Sequence, residues 1–418
     1  MKVIVIGAGV IGITTAYYLR RQGVEVILIE KNPGPGLETS YANAGSMTAT
    51  RAGPWASRRT LVKTMKGYFS RDSALRLKLT ADPRLYEWLI GFVVAAFSSA
   101  RPERRRAMIE LGMVSLSERR ALDSELSLDY GGINTGLLTI HENAEDFRLA
   151  VADIPYLRSL GAEVQELSPA ECGATEPAVD WPRQRIVGGI YAPTDESGDC
   201  YRFTKAIASE LVRMGVEVRY GEQVRSLDAR AFGACRVRTD RGDIDGDAVV
   251  VAAGIQSAAL ARMIGVKLPL CPVQGHSISV PLPEGERPNV TIAHESRKVF
   301  VSPCGNGVRA AGVADIVGYG RKLKPERVEL LKETVSALYP SARLDQDLDP
   351  WTGLRDMTHD GPPIICGVPG SGLWFNAGHG TLGWTFACGA AKLVTTLVRS
   401  RTAEPDNPFL GLTRRWTT

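Results

Sequence analysis

The first thirty residues leave this chain few ways to begin a fold. Lys2 to Ile6 is mostly β-branched, as a strand must be when both its faces are buried. The turn Gly7-Ala8-Gly9-Val10-Ile11-Gly12 follows, then a helical pattern from Thr14 to Gln22 that Gly23 stops, then the strand pattern Val24 to Glu30. Strand, glycine-rich turn, helix and strand in that order make a βαβ unit with the G-x-G-x-x-G spacing of a dinucleotide site. Gly7 permits the tight turn, Gly9 lets the backbone approach a pyrophosphate, and Gly12 lets the helix lie close on the sheet. The phosphates then meet free N–H groups at the positive end of the helix, beside Val10 and Ile11. Glu30 stands eighteen residues after Gly12. A carboxylate there accepts both ribose hydroxyls and repels a 2′-phosphate, and Lys31 adjoins it. The motif does not choose between FAD and NAD.

The rest of the 418 residues, 44% of them hydrophobic and 23% charged, suffices for a large core without staples. A net charge of +4 is too near balance to make nucleic acid the expected partner. The seven cysteines are scattered, with no C-x-x-C pair and no His at metal-ligand spacing, so reduced thiols, no metal and a cytoplasmic setting are expected. The opening apolar run lacks the basic leader and cleavage pattern of a secretion signal, and no stretch reaches the roughly 18 uncharged apolar residues that span a bilayer. Short alternating runs between 272 and 314, separated by Pro and Gly, suit an antiparallel sheet. The expected architecture is α/β. A Rossmann-like dinucleotide domain (1–50, 191–268 and 350–418) interleaves with an α+β substrate domain built on an antiparallel sheet (51–190 and 269–349).

Near the C-terminus, Asn376-Ala377-Gly378-His379-Gly380-Thr381-Leu382-Gly383-Trp384-Thr385 follows a short strand and opens the last helix. A second glycine-lined helix N-terminus suits a reduced flavin, which carries negative charge at N1 and C2=O. The backbone N–H groups serve that purpose, and His379 is read as a loop histidine satisfied by its neighbours. Three further runs join this one: Gly34 to Gly45 (GPGLETSYANAG), Asp195 to Cys200 (DESGDC) and Trp351 to Arg355 (WTGLR). Together the four motifs make the chain resemble, from end to end, the FAD-dependent D-amino-acid dehydrogenases, within the wider group of D-amino-acid oxidase, glycine oxidase and sarcosine oxidase. The resemblance implies a glutathione-reductase-type FAD domain. It also implies that Ser40, Asn43, Ala44 and Gly45 lie along FAD, that Val224 brackets the adenine with its backbone, and that Gly254, with the segment Gly378 to Gly383, approaches the cofactor.

Oxidising an amino acid at Cα requires that the protein hold the carboxylate, keep the amine neutral and exclude water. A carboxylate in a dry pocket calls for the two-pronged donor arginine, and the resemblance gives that clamp to Arg355. Two stretches depart from the related dehydrogenases. Arg355-Asp356-Met357-Thr358-His359-Asp360-Gly361-Pro362-Pro363 stands where R-P-M-T-P-D-G-T-P is common, and Gln274-Gly275-His276-Ser277 where K-G-Y-S is usual. His276 has two readings: an imidazole that bonds the substrate or takes the ammonium proton, and a histidine satisfied within its strand. His359 is expected to be exposed. Cys366 and Cys388 fall near enough to the flavin-binding stretch to keep covalent attachment open.

The uncharged run Trp88 to Phe97 precedes Arg101, Arg104, Arg105 and Arg106, with Arg58, Arg59, Lys63 and Lys66 upstream. It reads as a buried helix or as an apolar face laid on anionic lipid, a peripheral contact that suits delivery of electrons to a membrane quinone. The expected activity is oxidative deamination of D-amino acids to 2-oxo acids and ammonia, with electrons passed to a quinone or another non-oxygen partner. The alternatives are a dehydrogenase specific for D-proline or cis-4-hydroxy-D-proline, an oxygen-using D-amino-acid oxidase, and a silent FAD-binding subunit.

Overall fold

A computed structural model describes residues 1–67, 75–229 and 231–411, with the side chains of 63–67 excepted. Six strands form one sheet in the spatial order Ile364–Gly367, Leu373–Ala377, Ala248–Val251, Lys2–Ile6, Glu25–Glu30 and Glu217–Tyr220. Its pairings are parallel except that of Ile364–Gly367. Alternation sorts the central strand between two cores. Val3 and Val5 join the helices Val10–Arg21, Cys200–Arg213 and Gly383–Ser400. Ile4 and Ile6 join the three-stranded sheet of residues 224–246 and the short helix Ser257–Arg262. A strand buried on both faces has no polar side, which explains the unbroken β-branched run at the start of the chain.

The second sheet has nine strands. Its order is Trp351–Thr358, Leu270–Pro281, Gly307–Ile316, Val299–Cys304, Thr291–His294, Leu137–His141, Gly188–Ala192 and Gln165–Leu167, with Leu75–Leu77 also paired to Gly307–Ile316. Helix Pro325–Leu338 covers one face through Leu331, Val335 and Leu338. Helix Pro83–Phe97 packs Leu85, Trp88 and Phe92 near Cys271 and Val273 on the other.

The six strands of the first sheet fall within the three segments expected for the dinucleotide domain. Trp351–Thr358, expected there too, belongs instead to the second sheet. It runs antiparallel to Leu270–Pro281 over eight residue pairs, from Leu270↔Thr358 to Ser277↔Trp351. The exchange matters because it moves Arg355 onto the sheet of the substrate domain, facing the first sheet's ligand end.

Candidate active site

Between the two sheets lies one continuous cavity of about 1300 Å³, larger than the roughly 300–1,000 Å³ usual for a small-molecule site. The turn Gly7–Gly12 forms one end. Gly7 has φ +107°, and a Cβ on it would stand 2.5 Å from the Ala252 carbonyl oxygen. A Cβ on Gly12 would collide with the Gly7 carbonyl. Neither position admits a side chain, and Gly9, Val10 and Ile11 line the cavity where the helix begins. Glu30 and Lys31 line it as well. One Glu30 carboxylate oxygen accepts the Ala8 N–H at 2.8 Å and the other accepts the Asn32 N–H at 2.8 Å, which holds the group at the strand end with lone pairs to spare. Lys31 is paired with Glu38 at 3.0 Å.

The loop after the second strand forms the next stretch of wall, through Ser40, Asn43 and Ala44. Ser40 Oγ accepts the Val10 N–H at 3.0 Å. Asn43 Oδ1 accepts the Gly45 N–H at 2.9 Å, and Gly45, at φ +72°, accepts the Gly198 N–H at 2.9 Å behind the wall. Buried Asp195 ties the loop down by accepting from the hydroxyls of Thr48 and Thr50, at 2.5 and 2.6 Å, and from the Ala49 N–H at 3.1 Å. That bonding is what the DESGDC motif does physically: it anchors a loop that has no core of its own. Val224 and Gly254 line the same cavity, and a Cβ on Gly254 would meet only open space.

At the far wall, Arg355 lies across Gly275 of the neighbouring strand. A Cβ on Gly275 would stand 2.5 Å from the guanidinium carbon and closer still to Nη2. The guanidinium donates from Nη1 to the Val313 carbonyl at 2.8 Å and from Nη2 to that of Gly312 at 3.4 Å. Val313 is at φ +52°, which is strained for a β-branched residue. The cause is a bulge: the two steps from Gln274 to His276 are matched by three steps, Gly312 to Asp315, on the partner strand. The extra residue turns the Val313 carbonyl toward Arg355. Burial lowers the Arg355 pKa to about 10, with Asp315 acting in the opposite sense, so the guanidinium stays charged at neutral pH. No carboxylate among the described residues forms an ion pair with it, and its accessible surface faces the cavity. It is a charged, two-pronged donor held only by carbonyls. Sequence reasoning missed both Gly275 and Val313, although it had marked the Gln274–Ser277 stretch as unusual.

The structure lines one cavity with both His276 and Arg355, and the guanidinium's charge bears on the imidazole, but the two side chains leave their strands on opposite faces. Arg355 pairs with Val273, and alternation places residues 273, 275 and 277 on one face and 274, 276 and 278 on the other. The guanidinium lies on the Gly275 face, and His276 shares its face with Ile278, toward Asp315, Lys324 and Arg327. Burial pushes its ring down to about 4, which makes it a poor proton acceptor. Among the described residues neither ring nitrogen has a hydrogen-bond partner. His379 is buried, and its Nε2 is 2.9 Å from Asn376 Oδ1, close to expectation. His359 is not exposed as expected, because its ring packs on Gly91 of helix Pro83–Phe97. Cys366 and Cys388 are buried away from the cavity wall, and burial lifts the Cys388 thiol to about 12.

His379, Gly380, Thr381, Leu382 and Gly383 line the cavity at the start of the last helix. The expected open nest is already occupied in part. Asp356 accepts the Gly378 N–H at 2.7 Å, which turns that amide away from a ligand.

Known proteins place this geometry. The family profile described as FAD dependent oxidoreductase matches residues 2–397. The chain belongs to the FAD-dependent oxidoreductases. Among curated relatives of this oxidoreductase, the D-amino acid dehydrogenase of Rhizorhabdus wittichii is 36% identical over 415 residues, covering 99% of this chain and all of the relative. That of Rhizobium rhizogenes is 35% identical over 418 residues, at 99% and 100% coverage. Among solved structures, glycine oxidase from Geobacillus kaustophilus superposes with a TM-score of 0.78 at 22% identity, covering 99% of this chain and 98% of that one. L-proline dehydrogenase from P. horikoshii gives 0.74 at 17%, with 98% and 96% coverage. These likenesses show the fold. The residues of this oxidoreductase fit FAD. The two glycines that admit no Cβ, the helix start at Gly9 and the carboxylate at Glu30 form the dinucleotide end of the cavity. Gly254, next to the Ala252–Ala253 backbone that crowds Gly7, and the residues Gly380 to Gly383 continue the wall of the same cavity.

Proposed function

We propose that this oxidoreductase deaminates D-amino acids to 2-oxo acids and ammonia, with Arg355 binding the substrate carboxylate. The observation that carries the reading is the Arg355 guanidinium itself, charged, turned into the cavity and, among the described residues, bonded only to the Gly312 and Val313 carbonyls. A carboxylate bound in two-pronged fashion completes its valence and orients Cα. Bound FAD would supply the two-electron acceptor for the hydride that leaves Cα, and hydrolysis of the remaining imine by water would give the 2-oxo acid and ammonia. The protein's work is positioning: Gly275 leaves room for the guanidinium, and the bulge at Val313 aims it. The relatives' names support the D-amino acid class. Anaerobic mixing of the yellow enzyme with both enantiomers of the common amino acids, and with hydroxyproline isomers, tests it at the flavin absorption band. Bleaching by D-enantiomers is expected, and a spectrum indifferent to all of them refutes the reading.

The acceptor we assign is a membrane quinone. Helix Pro83–Phe97 turns Ile90, Val93, Val94 and Phe97 outward, 65%, 45%, 57% and 58% exposed, at the i, i+3, i+4, i+7 spacing of one continuous face. Arg58 lies over the Phe97 ring at 5.0 Å, at headgroup position for an apolar face sunk in lipid. The side chains of Lys63 and Lys66 lie outside the described residues. Flotation with anionic phospholipid vesicles is expected to carry the protein, and Val94→Asp to release it. Rapid peroxide formation in air with no added acceptor would refute the quinone assignment and favour an oxidase.

A further inference from the structure

Asp356 follows the carboxylate clamp and stands where the dehydrogenases this chain resembles commonly carry proline, a residue with neither a side-chain charge nor an N–H. It pairs with Pro272, so its side chain leaves the strand on the face opposite Arg355. There it reaches the segment that opens the last helix. Its carboxylate accepts the Gly378 N–H at 2.7 Å, and the N–H groups of His379, Gly380 and Asp356 itself also bear on it. Asp356 and the residues Gly380 to Gly383 share the cavity wall, so a protein carboxylate occupies the amide nest beside the place where the cofactor gains negative charge on reduction.

We propose that Asp356 couples the redox poise of the bound flavin to pH: ionised, it holds the amides of the nest and opposes negative charge on the neighbouring cofactor, and protonated, it withdraws that opposition. The proposal rests on the reading that the flavin end of FAD lies against Gly380–Gly383. The coupling is a proton equilibrium, with carboxylate plus a proton from water giving the acid, while the substrate's hydride goes to the cofactor in either state. An anion beside a group that becomes anionic raises the free energy of the reduced state.

The surroundings allow the carboxyl to titrate in a useful range. Burial raises its pKa to about 6, against the pull of the backbone N–H groups. No charged side chain forms an ion pair with it among the described residues. Of its neighbours, Arg355 and Cys271 lie on the opposite face of the sheet. His276 lies on the same face toward Asp315, and His379 is bonded to Asn376. The adjoining turn Gly254–Gln256 holds no titratable side chain.

The test uses the FAD-loaded enzyme. Oxidised flavin does not itself ionise between roughly pH 5 and 7.5, so a spectral transition in that window reports a protein group beside the ring. The wild type is expected to show a one-proton change in its flavin spectrum with a midpoint near 6, and Asp356→Asn to lack it. The variant's midpoint potential at the upper end of that range is expected to exceed the wild type's by at least a tenfold change in the oxidised-to-reduced ratio, about 30 mV for two electrons. The gap should close at the acid end. A flat wild-type titration overturns the proposal, as does the same transition in Asp356→Asn. If Asp356→Asn fails to hold flavin, Asp356→Pro serves as the second variant, and if both fail the wild-type titration decides. A yellow enzyme with a flat titration sinks this proposal alone, whereas a protein that binds no flavin sinks the cofactor placement with it.

Discussion

Gly275→Ala should disable the substrate clamp without touching a charged residue. The added Cβ would stand 2.5 Å from the Arg355 guanidinium carbon, where carbon atoms need about 3.5 Å, so the group must retreat by about 1 Å. The hydrogen bond from Nη1 to Val313, now 2.8 Å, would stretch to nearly 4 Å and cease to be one. A hydrogen bond to a charged group contributes about 1.5–3 kcal/mol. Misaligning one prong of the clamp should therefore cost about 10- to 150-fold in kcat/KM. Because the carboxylate is held in the ground state as well as in the transition state, most of the loss should fall on KM. The assay is anaerobic flavin reduction against concentration of the best D-amino acid, on protein normalised for bound FAD. Gly320→Ala is the control, since a Cβ there meets nothing within 4 Å. A Gly275→Ala enzyme with full flavin and the wild-type KM would refute the assignment of Arg355 as the clamp.

Three other outcomes follow from the same geometry. Gly12→Ala drives a methyl into the Gly7 carbonyl and should yield protein that does not retain FAD after gel filtration; a yellow, stable variant would show that the turn can shift. His276→Gln should change kcat/KM by less than about tenfold and leave its pH profile in place, because general acid–base catalysis is worth about 10²- to 10⁴-fold and burial holds this ring near 4, which makes it a poor proton acceptor. A loss in that larger range would restore His276 to the reaction. The folded protein should also lose stability in mild acid. His141 and His276 are held near 4 and His379 near 3 by burial, below the ordinary imidazole value of 6.5. The unfolded chain then binds more protons between these values, so stability is full above about pH 6.5 and falls toward pH 4, by up to about 1.4 kcal/mol per pH unit for each ring. Urea midpoints that do not move across that interval would contradict the buried, neutral state of these rings.

How legible the site was depended on the range of the interactions that build it. The strand–glycine–helix turn and Glu30 were readable because each is set by neighbours within a few dozen residues, whereas Ser40, Asn43 and Ala44 came from the family resemblance, and the loop that carries them is anchored by distant Asp195. The nest at Gly378–Gly383 was legible as a backbone feature, but its occupant was not. Nothing local shows that Asp356, more than twenty residues earlier, turns back to bond the Gly378 N–H. Helix Pro83–Phe97 was ambiguous for a related reason. An apolar run of that length suits a core or a surface equally, and the packing of Trp88 and Phe92 against the sheet left Ile90, Val93, Val94 and Phe97 outside.

From its order of residues alone, this chain was bound to open on a dinucleotide turn, because glycine spacing and β-branched runs act through backbone sterics and local periodicity. The family resemblance in its motifs carried that reading on to FAD and to Arg355. Only the folded chain decided which groups meet at the clamp. The pairing of Trp351–Thr358 with Leu270–Pro281 joins residues about eighty positions apart, and its register puts Gly275 under Arg355 and sends His276 to the other face. A one-residue slip would reverse every side chain on the strand, and no local pattern specifies which register the two strands adopt.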